Sequence, residues 1–307
     1  MANRIKEKYM AGKRYFDYPM LFLVIFLICF GLVMIYSTSS YKSTVTYGNS
    51  YHWLLRQAVA IVLGAVAMVV CCKLDYRIIK SEKFGNGCYW ASIILLVLVL
   101  IIGAAKKGAV RWISIAGFQF QPSEVSKILV VIYLANRLSA NAHKIRTFKD
   151  SIVIVLPTVP IIALIVTQNL STALVVCSMI GVMLFVVSPK MKELMLTAGG
   201  GIILLFVYLL TANSYRNERV QIWLHPESHK KGFQTMQALY AIGSGGIFGK
   251  GLGQSMQKMG FIPESHNDMI FSIICEELGL FGAVCLILVF VALIFRMLLI
   301  ALNTEDL

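Results

Sequence analysis

The stretch Phe261-Ile-Pro-Glu-Ser-His-Asn-Asp-Met-Ile-Phe-Ser-Ile-Ile-Cys-Glu-Glu-Leu-Gly279 closes the only long polar loop of the chain and opens a strongly apolar helix. Four carboxylates lie in it: Glu264, Asp268, Glu276 and Glu277. The adjacent pair Glu276–Glu277 falls inside the apolar run. Carboxylates at membrane depth are costly, so they mark function by default.

Working outward, the whole chain reads as membrane. It has 307 residues, 58% of them hydrophobic and only 14% charged. Several apolar runs approach or exceed the ~20 residues that span a bilayer. A soluble protein of this size needs far more surface charge. The expected class is all-α, a polytopic helical membrane protein. The first apolar run is long and lacks a small-residue cleavage site, which predicts a retained span rather than a signal peptide. The net charge of +13 fits lysines and arginines in cytoplasmic loops, not nucleic-acid binding. The seven cysteines show no disulfide framework or metal spacing, and packing accounts for them.

About eight spans are expected, near 19–37, 53–72, 88–105, 122–138, 151–167, 170–188, 194–212 and 268–295. Pro122 suits the first turn of the fourth. A very short Gln168-Asn169 turn joins the fifth to the sixth. The N-terminus (Arg4, Lys6, Lys8, Lys13, Arg14) and every second loop after it hold 16 lysines and arginines, the short opposite loops four. That bias places the N-terminus in the cytoplasm and the long loop outside. The expected organisation is a membrane bundle over 1–212, an extracytoplasmic loop over 213–267, and an eighth span with a short cytoplasmic end over 268–307.

Three constellations carry chemistry. Glu124 and Lys127 are three apart on one helical face and can pair. They form either a structural ion pair or a polar site inside the bundle. Arg111 beside Trp112 suits an interfacial anchor and equally a phosphate contact. In the long loop, Gly243-Ser-Gly-Gly-Ile-Phe-Gly-Lys-Gly-Leu-Gly253 fits no nucleotide-binding fingerprint. It reads as a flexible outer loop or as backbone able to approach a phosphate, with Arg216, Arg219, Lys250 and Lys258 near it. Asn267 and Asp268 are good helix caps, and Ser265-x-x-Asp268 resembles a capping box. The alternative for Asp268, at the membrane edge, is a general base.

The residues Arg111-Trp112-Ile113, Gln121-Pro-Ser-Glu124 with Lys127, Ala241-Ile-Gly-Ser-Gly-Gly246, Gln257-Lys258, Pro263-Glu264 and Asn267-Asp-Met-Ile-Phe271 with Glu276-Glu277-Leu-Gly279 resemble the SEDS family, the FtsW, RodA and SpoVE proteins. The resemblance covers essentially the whole chain. Gly251-Leu-Gly-Gln-Ser-Met-Gln-Lys258 is closer to FtsW and SpoVE. It implies a ten-span enzyme of the bacterial cytoplasmic membrane, a peptidoglycan glycosyltransferase polymerising lipid II into β-1,4-linked strands at the outer face during cell division or cell-shape maintenance. It also implies a class B penicillin-binding protein transpeptidase as partner, with other division or elongation proteins.

The family's catalytic aspartate falls on Asp268, within His266-Asn-Asp-Met-Ile-Phe271. Asn267 and Met269 depart from the family's threonine and phenylalanine without removing the carboxylate. Substrate contacts are expected from Arg111, Glu124, Lys127, Arg216, Arg219, Lys258 and Glu264. No resident metal site is expected, although a divalent cation such as Mg or Mn could join the leaving diphosphate. The family's last two spans have no counterpart before Leu307, so a chain short of them is expected. The competing functions are a lipid II flippase, which needs polar residues through the bilayer depth, and a non-catalytic transpeptidase scaffold.

Overall fold

A computed structural model of the chain describes residues 16–106, 109–115, 118–142, 145, 148–187, 221–229 and 232–303. The described chain divides into two compact units, residues 1–72 with 212–307, and residues 73–211.

In the first unit, α1 (Tyr18–Tyr47) begins where Asp17 accepts the N–H of Met20 at 2.8 Å, with Pro19 in the first turn. It stops at Gly48, whose φ of 68° is the left-handed conformation that ends helices. α2 (His52–Lys73) buries none of its residues. The unit also contains α9 (Phe233–Ser244) and α10 (Ile270–Leu302). α10 packs on α1 and α9. Met34, Ile274 and Leu286 form one buried cluster with Leu27, Phe30, Ile270 and Leu278 around them. Ala241, Ile262 and Ile273 form another. Arg296 of α10 pairs with Asp17.

The second unit contains α3 (Tyr76–Ile79), α4 (Glu82–Ile102), α5 (Pro122–Asn141), α6 (Phe148–Val155), α7 (Val159–Gln168) and α8 (Leu170–Val187). Val130, Leu134 and Leu138 on α5, Ile161 and Ile165 on α7, and Val176, Ile180 and Leu184 on α8 recur every four residues. That spacing stacks them on one face of each helix, and together they make a single core. Pro157 and Pro160 break one apolar run into α6 and α7 across a 3₁₀ turn at Leu156–Thr158, because proline supplies no amide for the helical ladder.

Six described helices are long and apolar enough to cross a membrane: Tyr18–Tyr47, His52–Lys73, Glu82–Ile102, Lys149–Gln168, Leu170–Val187 and Ile270–Leu302. The fourth expected span is present as the 20-residue α5 but is not one of the six. Glu124, Lys127, Asn136, Arg137 and Asn141 dilute its apolar character. The seventh, 194–212, lies outside the described residues. The Gln168–Asn169 turn stands where expected, with Asn169 extended and its Oδ1 accepting the N–H of Ser171 at 3.2 Å.

Two stretches read as loop carry regular structure. β1 (Ala104–Lys106), β2 (Ala109–Ile115) and β3 (Phe118–Phe120) form an antiparallel sheet in that order. The helical membrane-protein class expected from the sequence holds, with this small sheet as a local addition. The long loop contains α9.

Candidate functional site

The glycine-rich loop after α9 is neither a loose loop nor a phosphate cradle. It is knitted to the backbone of α10 where that helix breaks. Gly279 sits at φ 68° and interrupts the helix. Around the break, Lys250 and Gly251 donate their N–H groups to the carbonyls of Glu276 and Glu277, each at 2.9 Å. In return, Leu280 and Phe281 donate to the carbonyls of Gly246 and Ile247 at 2.9 and 3.0 Å. A Cβ on Gly245 would lie 2.0 Å from the carbonyl oxygen of Cys275, and one on Gly249 2.2 Å from that of Glu277. Here glycine permits backbone-to-backbone contact.

This knot carries two ion pairs. Glu276 and Glu277 are both fully buried. Lys250 Nζ lies 2.8 Å from Glu276 Oε1, Ser255 Oγ donates to Oε2 at 2.5 Å, and the N–H groups of Met256 and Gln257 add 3.2 and 3.4 Å contacts. Lys258 Nζ lies 2.7 Å from Glu277 Oε1, and Ser37 of α1 donates to the same carboxylate at 2.7 Å. A buried carboxylate needs such partners, since uncompensated charge in a low-dielectric setting is strongly destabilising. The expectation for Lys258 is therefore corrected. Its side chain is 5% exposed, and its ammonium serves as the counter-ion of Glu277 rather than as an open phosphate contact.

The segment that follows is anchored along its length. Ile262 is buried against Ala241 and Ile273. Ser265 Oγ donates to the carbonyl of Thr38 at 3.4 Å. His266 is buried, with its ring 4.7 Å from that of Trp53. Burial, and next the charge of Lys42, hold its imidazole below the usual histidine range, against an upward pull from Glu264. Glu264 is exposed and sits at φ 54°, strained for a residue with a side chain.

Asp268 emerges from this anchored segment. It is exposed, and its carboxylate has no hydrogen bond or ion pair among the described residues. The capping expectation is corrected too: Met269 occupies the cap position of α10, with no side-chain cap bond. The carboxylate is left free for other work. So the four carboxylates of the 261–279 stretch divide, the deep pair neutralised by lysines and Glu264 and Asp268 open to solvent.

The remaining expected residues belong to the other unit or lie outside the description. Glu124 and Lys127 pair at 2.8 Å, with side chains 54% and 22% exposed. Arg111 donates through Nε to the carbonyl of Gln168 at 2.6 Å, the negative end of α7. Gln168 in turn donates to the carbonyl of Leu96 at 3.1 Å. Arg216 and Arg219 are outside the described residues. Among those described, no group of three or more His, Cys, Asp or Glu converges. The sequence reading missed Ser37 and Trp53. Trp53 carried a signal, an aromatic residue at the end of an apolar run; Ser37 carried none.

The chain matches the cell cycle protein family of FtsW, RodA and SpoVE over residues 18–307. It is 35% identical over 301 residues to the probable peptidoglycan glycosyltransferase FtsW of Geobacter metallireducens, covering 95% of this chain and 78% of that one. It is 34% identical over 301 residues to stage V sporulation protein E of Bacillus subtilis, covering 95% and 80%. Among solved structures, a chain from a peptidoglycan synthase complex that coordinates polymerization and crosslinking superposes with a TM-score of 0.75 at 27% identity, over 96% of this chain and 81% of that one. The rod shape determining protein RodA of Thermus thermophilus gives 0.66 at 27% identity, over 95% and 77%.

Proposed function

The chain belongs to the FtsW/RodA/SpoVE family, and from that premise we propose that Asp268 is the general base with which it extends peptidoglycan strands from lipid II. The protein is a multi-pass enzyme of the bacterial cytoplasmic membrane, a peptidoglycan glycosyltransferase. The single observation that supports Asp268 as its base is the division of the carboxylates. Glu276 and Glu277 are paired with lysines inside the fold, whereas Asp268 is exposed and unpartnered among the described residues. A base must be free to receive a proton, and a carboxylate locked against an ammonium is a poor one.

In the proposed step, the 4-hydroxyl oxygen of the acceptor sugar attacks the anomeric carbon of the donor. The bond from that carbon to the diphosphate oxygen breaks, and the α-linked donor becomes a β-1,4 linkage by inversion. The hydroxyl proton passes to Asp268, which later releases it to water. A sugar hydroxyl is too weak an acid to ionise first, so proton removal accompanies attack. Base assistance of this kind is typically worth ~10²–10⁴-fold.

The departing diphosphate needs cations. Arg111 uses only its Nε in the contact with Gln168, which leaves its terminal nitrogens for phosphate. Lys127 with Glu124, and Arg216 and Arg219 of the long loop, are the other candidates, and Glu264 is the candidate contact to a sugar. A class B penicillin-binding protein is the proposed partner, on the likeness to a synthase complex that joins polymerization to crosslinking. A flippase reading draws no support from the deep carboxylates, which are consumed in ion pairs rather than left to line a polar path. The test is strand synthesis from lipid II by Asp268→Asn; turnover at the wild-type rate would remove the base assignment.

A further inference from the structure

We propose that the cavity between the start of α4 and the end of α5 binds the glycerophosphate headgroup of an anionic lipid in the cytoplasmic leaflet, with Arg137 on the phosphate and Glu82 and Asn86 on the glycerol. The site uses none of the residues assigned above to polymerisation and does not depend on them.

The cavity measures about 210 Å³ and is lined by Glu82 and Asn86 of α4 and by Tyr133, Asn136, Arg137 and Asn141 of α5. It is several times the ~30 Å³ that one water occupies in the liquid, which leaves room for a phosphate and a short polyol. Its walls are fixed. Asn136 Nδ2 donates to the carbonyl of Ile79 at 2.6 Å and ties α5 to the end of α3. Gly85 lets the two helices close on each other, since a Cβ there would lie 2.8 Å from the same Nδ2.

Arg137 is the one cation in the lining. Its Nη1 donates to the hydroxyl of Tyr133 at 3.0 Å, and its guanidinium carbon lies 5.7 Å from the centre of that ring. Tyr133 is buried, so the contact holds the guanidinium still. Nη2 has no hydrogen bond and no carboxylate pairs with Arg137 among the described residues. A guanidinium held in place with donors unspent is preorganised for phosphate oxygens. Asn86 is exposed, and its amide is likewise unbonded among the described residues. Glu82 is exposed and makes no ion pair among them. An ionised carboxylate only accepts, so it repels bare phosphate and suits a ligand whose hydroxyls sit beside its phosphate. Together the two charges select a phosphodiester of a polyol.

The surroundings make that phosphodiester a lipid. α4 is one of the helices long and apolar enough to cross a membrane, and the cavity sits at its first two turns. The charge bias of the loops puts this end in the cytoplasm. Residues 73–83 and 137–150 hold eight lysines and arginines against Asp75, Glu82 and Asp150. Such a fringe attracts anionic headgroups, and basic pockets between spans on this side hold them. Asn86, Trp90 and Ile94 follow at intervals of four and share a face of α4. Trp90 and Ile94 are 61% and 60% exposed. That face runs from the cavity along the apolar span and gives the acyl chains a track, with Trp90 near the interface where tryptophan is favoured.

The experiment is native mass spectrometry of the full chain in detergent, titrated separately with phosphatidylglycerol, phosphatidylethanolamine, phosphatidylcholine and glycerol 3-phosphate. Melting temperature is read in parallel. The expected result is one tight phosphatidylglycerol adduct, roughly tenfold stronger than any adduct of the other three. Arg137→Gln weakens it roughly tenfold, the worth of one hydrogen bond to a charged group, and Arg137→Lys weakens it less. Asn86→Ala weakens it several-fold without moving the melting temperature, because that side chain is exposed and unbonded. It keeps the test decisive if Arg137→Gln folds poorly. Lys83→Gln removes a charge of the same fringe outside the cavity lining and leaves the adduct at wild-type strength. Four results overturn the site: equal affinity for phosphatidylglycerol and either other lipid, equal affinity for glycerol 3-phosphate, wild-type affinity in Asn86→Ala or in a folded Arg137→Gln, or a loss in Lys83→Gln as large as in Arg137→Gln, which marks diffuse charge attraction.

Discussion

Replacing Lys258 by methionine keeps the length of the side chain and removes the only positive charge that the described residues place on a fully buried carboxylate. Among the described residues Glu277 then retains a single partner, the hydroxyl of Ser37 at 2.7 Å. Stripping one member from a buried ion pair costs about 3–5 kcal/mol, because the other charge stays desolvated. The neighbouring pair supplies the internal control. Lys250 is 36% exposed, and Glu276 without it would still receive Ser255 Oγ and two backbone N–H groups. Lys250→Met should therefore cost no more than ~1–3 kcal/mol, the range of a hydrogen bond to a charged group. The assay is thermal unfolding in detergent, read by circular dichroism at constant pH. For a chain of this size, about 3–5 kcal/mol corresponds to a fall of roughly 6–20 °C. The double variant Lys258→Met/Glu277→Gln removes both charges and should recover most of that loss. A Lys258→Met chain that melts with wild type, or a double variant no more stable than the single, would refute the clamp.

Gly249→Ala puts a Cβ 2.2 Å from the carbonyl oxygen of Glu277 at a φ of 79°. It should sharply reduce the folded yield, measured by size-exclusion chromatography. Gly253→Ala shares that φ of 79° but meets nothing within 4 Å, so it should cost only the ~1–2 kcal/mol of left-handed strain. His266 has a folded pKa below its unfolded value. Its contribution to stability is complete above about pH 6.5 and is lost as pH falls through the lower folded value. Melting at pH 5 should accordingly narrow the gap between wild type and His266→Phe relative to pH 7.5, and an unchanged gap would contradict the burial argument. Asp268 caps nothing, so Asp268→Asn should melt with wild type, and a clear loss of stability would return it to a structural role.

Local signals in the sequence carried much of the fold. The 168–169 turn, Pro122 at the head of α5 and the Glu124–Lys127 pair all lie within a few residues of their partners, and each stands where the pattern placed it. What spacing could not show was tertiary. Ser37 is 240 residues from Glu277, and Trp53 is also far along the chain from His266, so neither contact leaves a local trace. The glycine run misled for a related reason. Glycine permits a phosphate or another backbone to approach, and only the break of α10 at Gly279 shows which one does. Asp268 resembled a helix cap because a cap and a free carboxylate before a helix share one sequence, and the conformation at Met269 separates them. Strands of three residues beside β2 were too short to raise an alternation above their neighbours.

The most direct test of the account is glycan-strand synthesis from lipid II by the full chain with its partner transpeptidase, compared with Asp268→Ala prepared in parallel. The account predicts strands from wild type and none from the variant, with both proteins equally folded. Strands of equal length and yield from Asp268→Ala would contradict it.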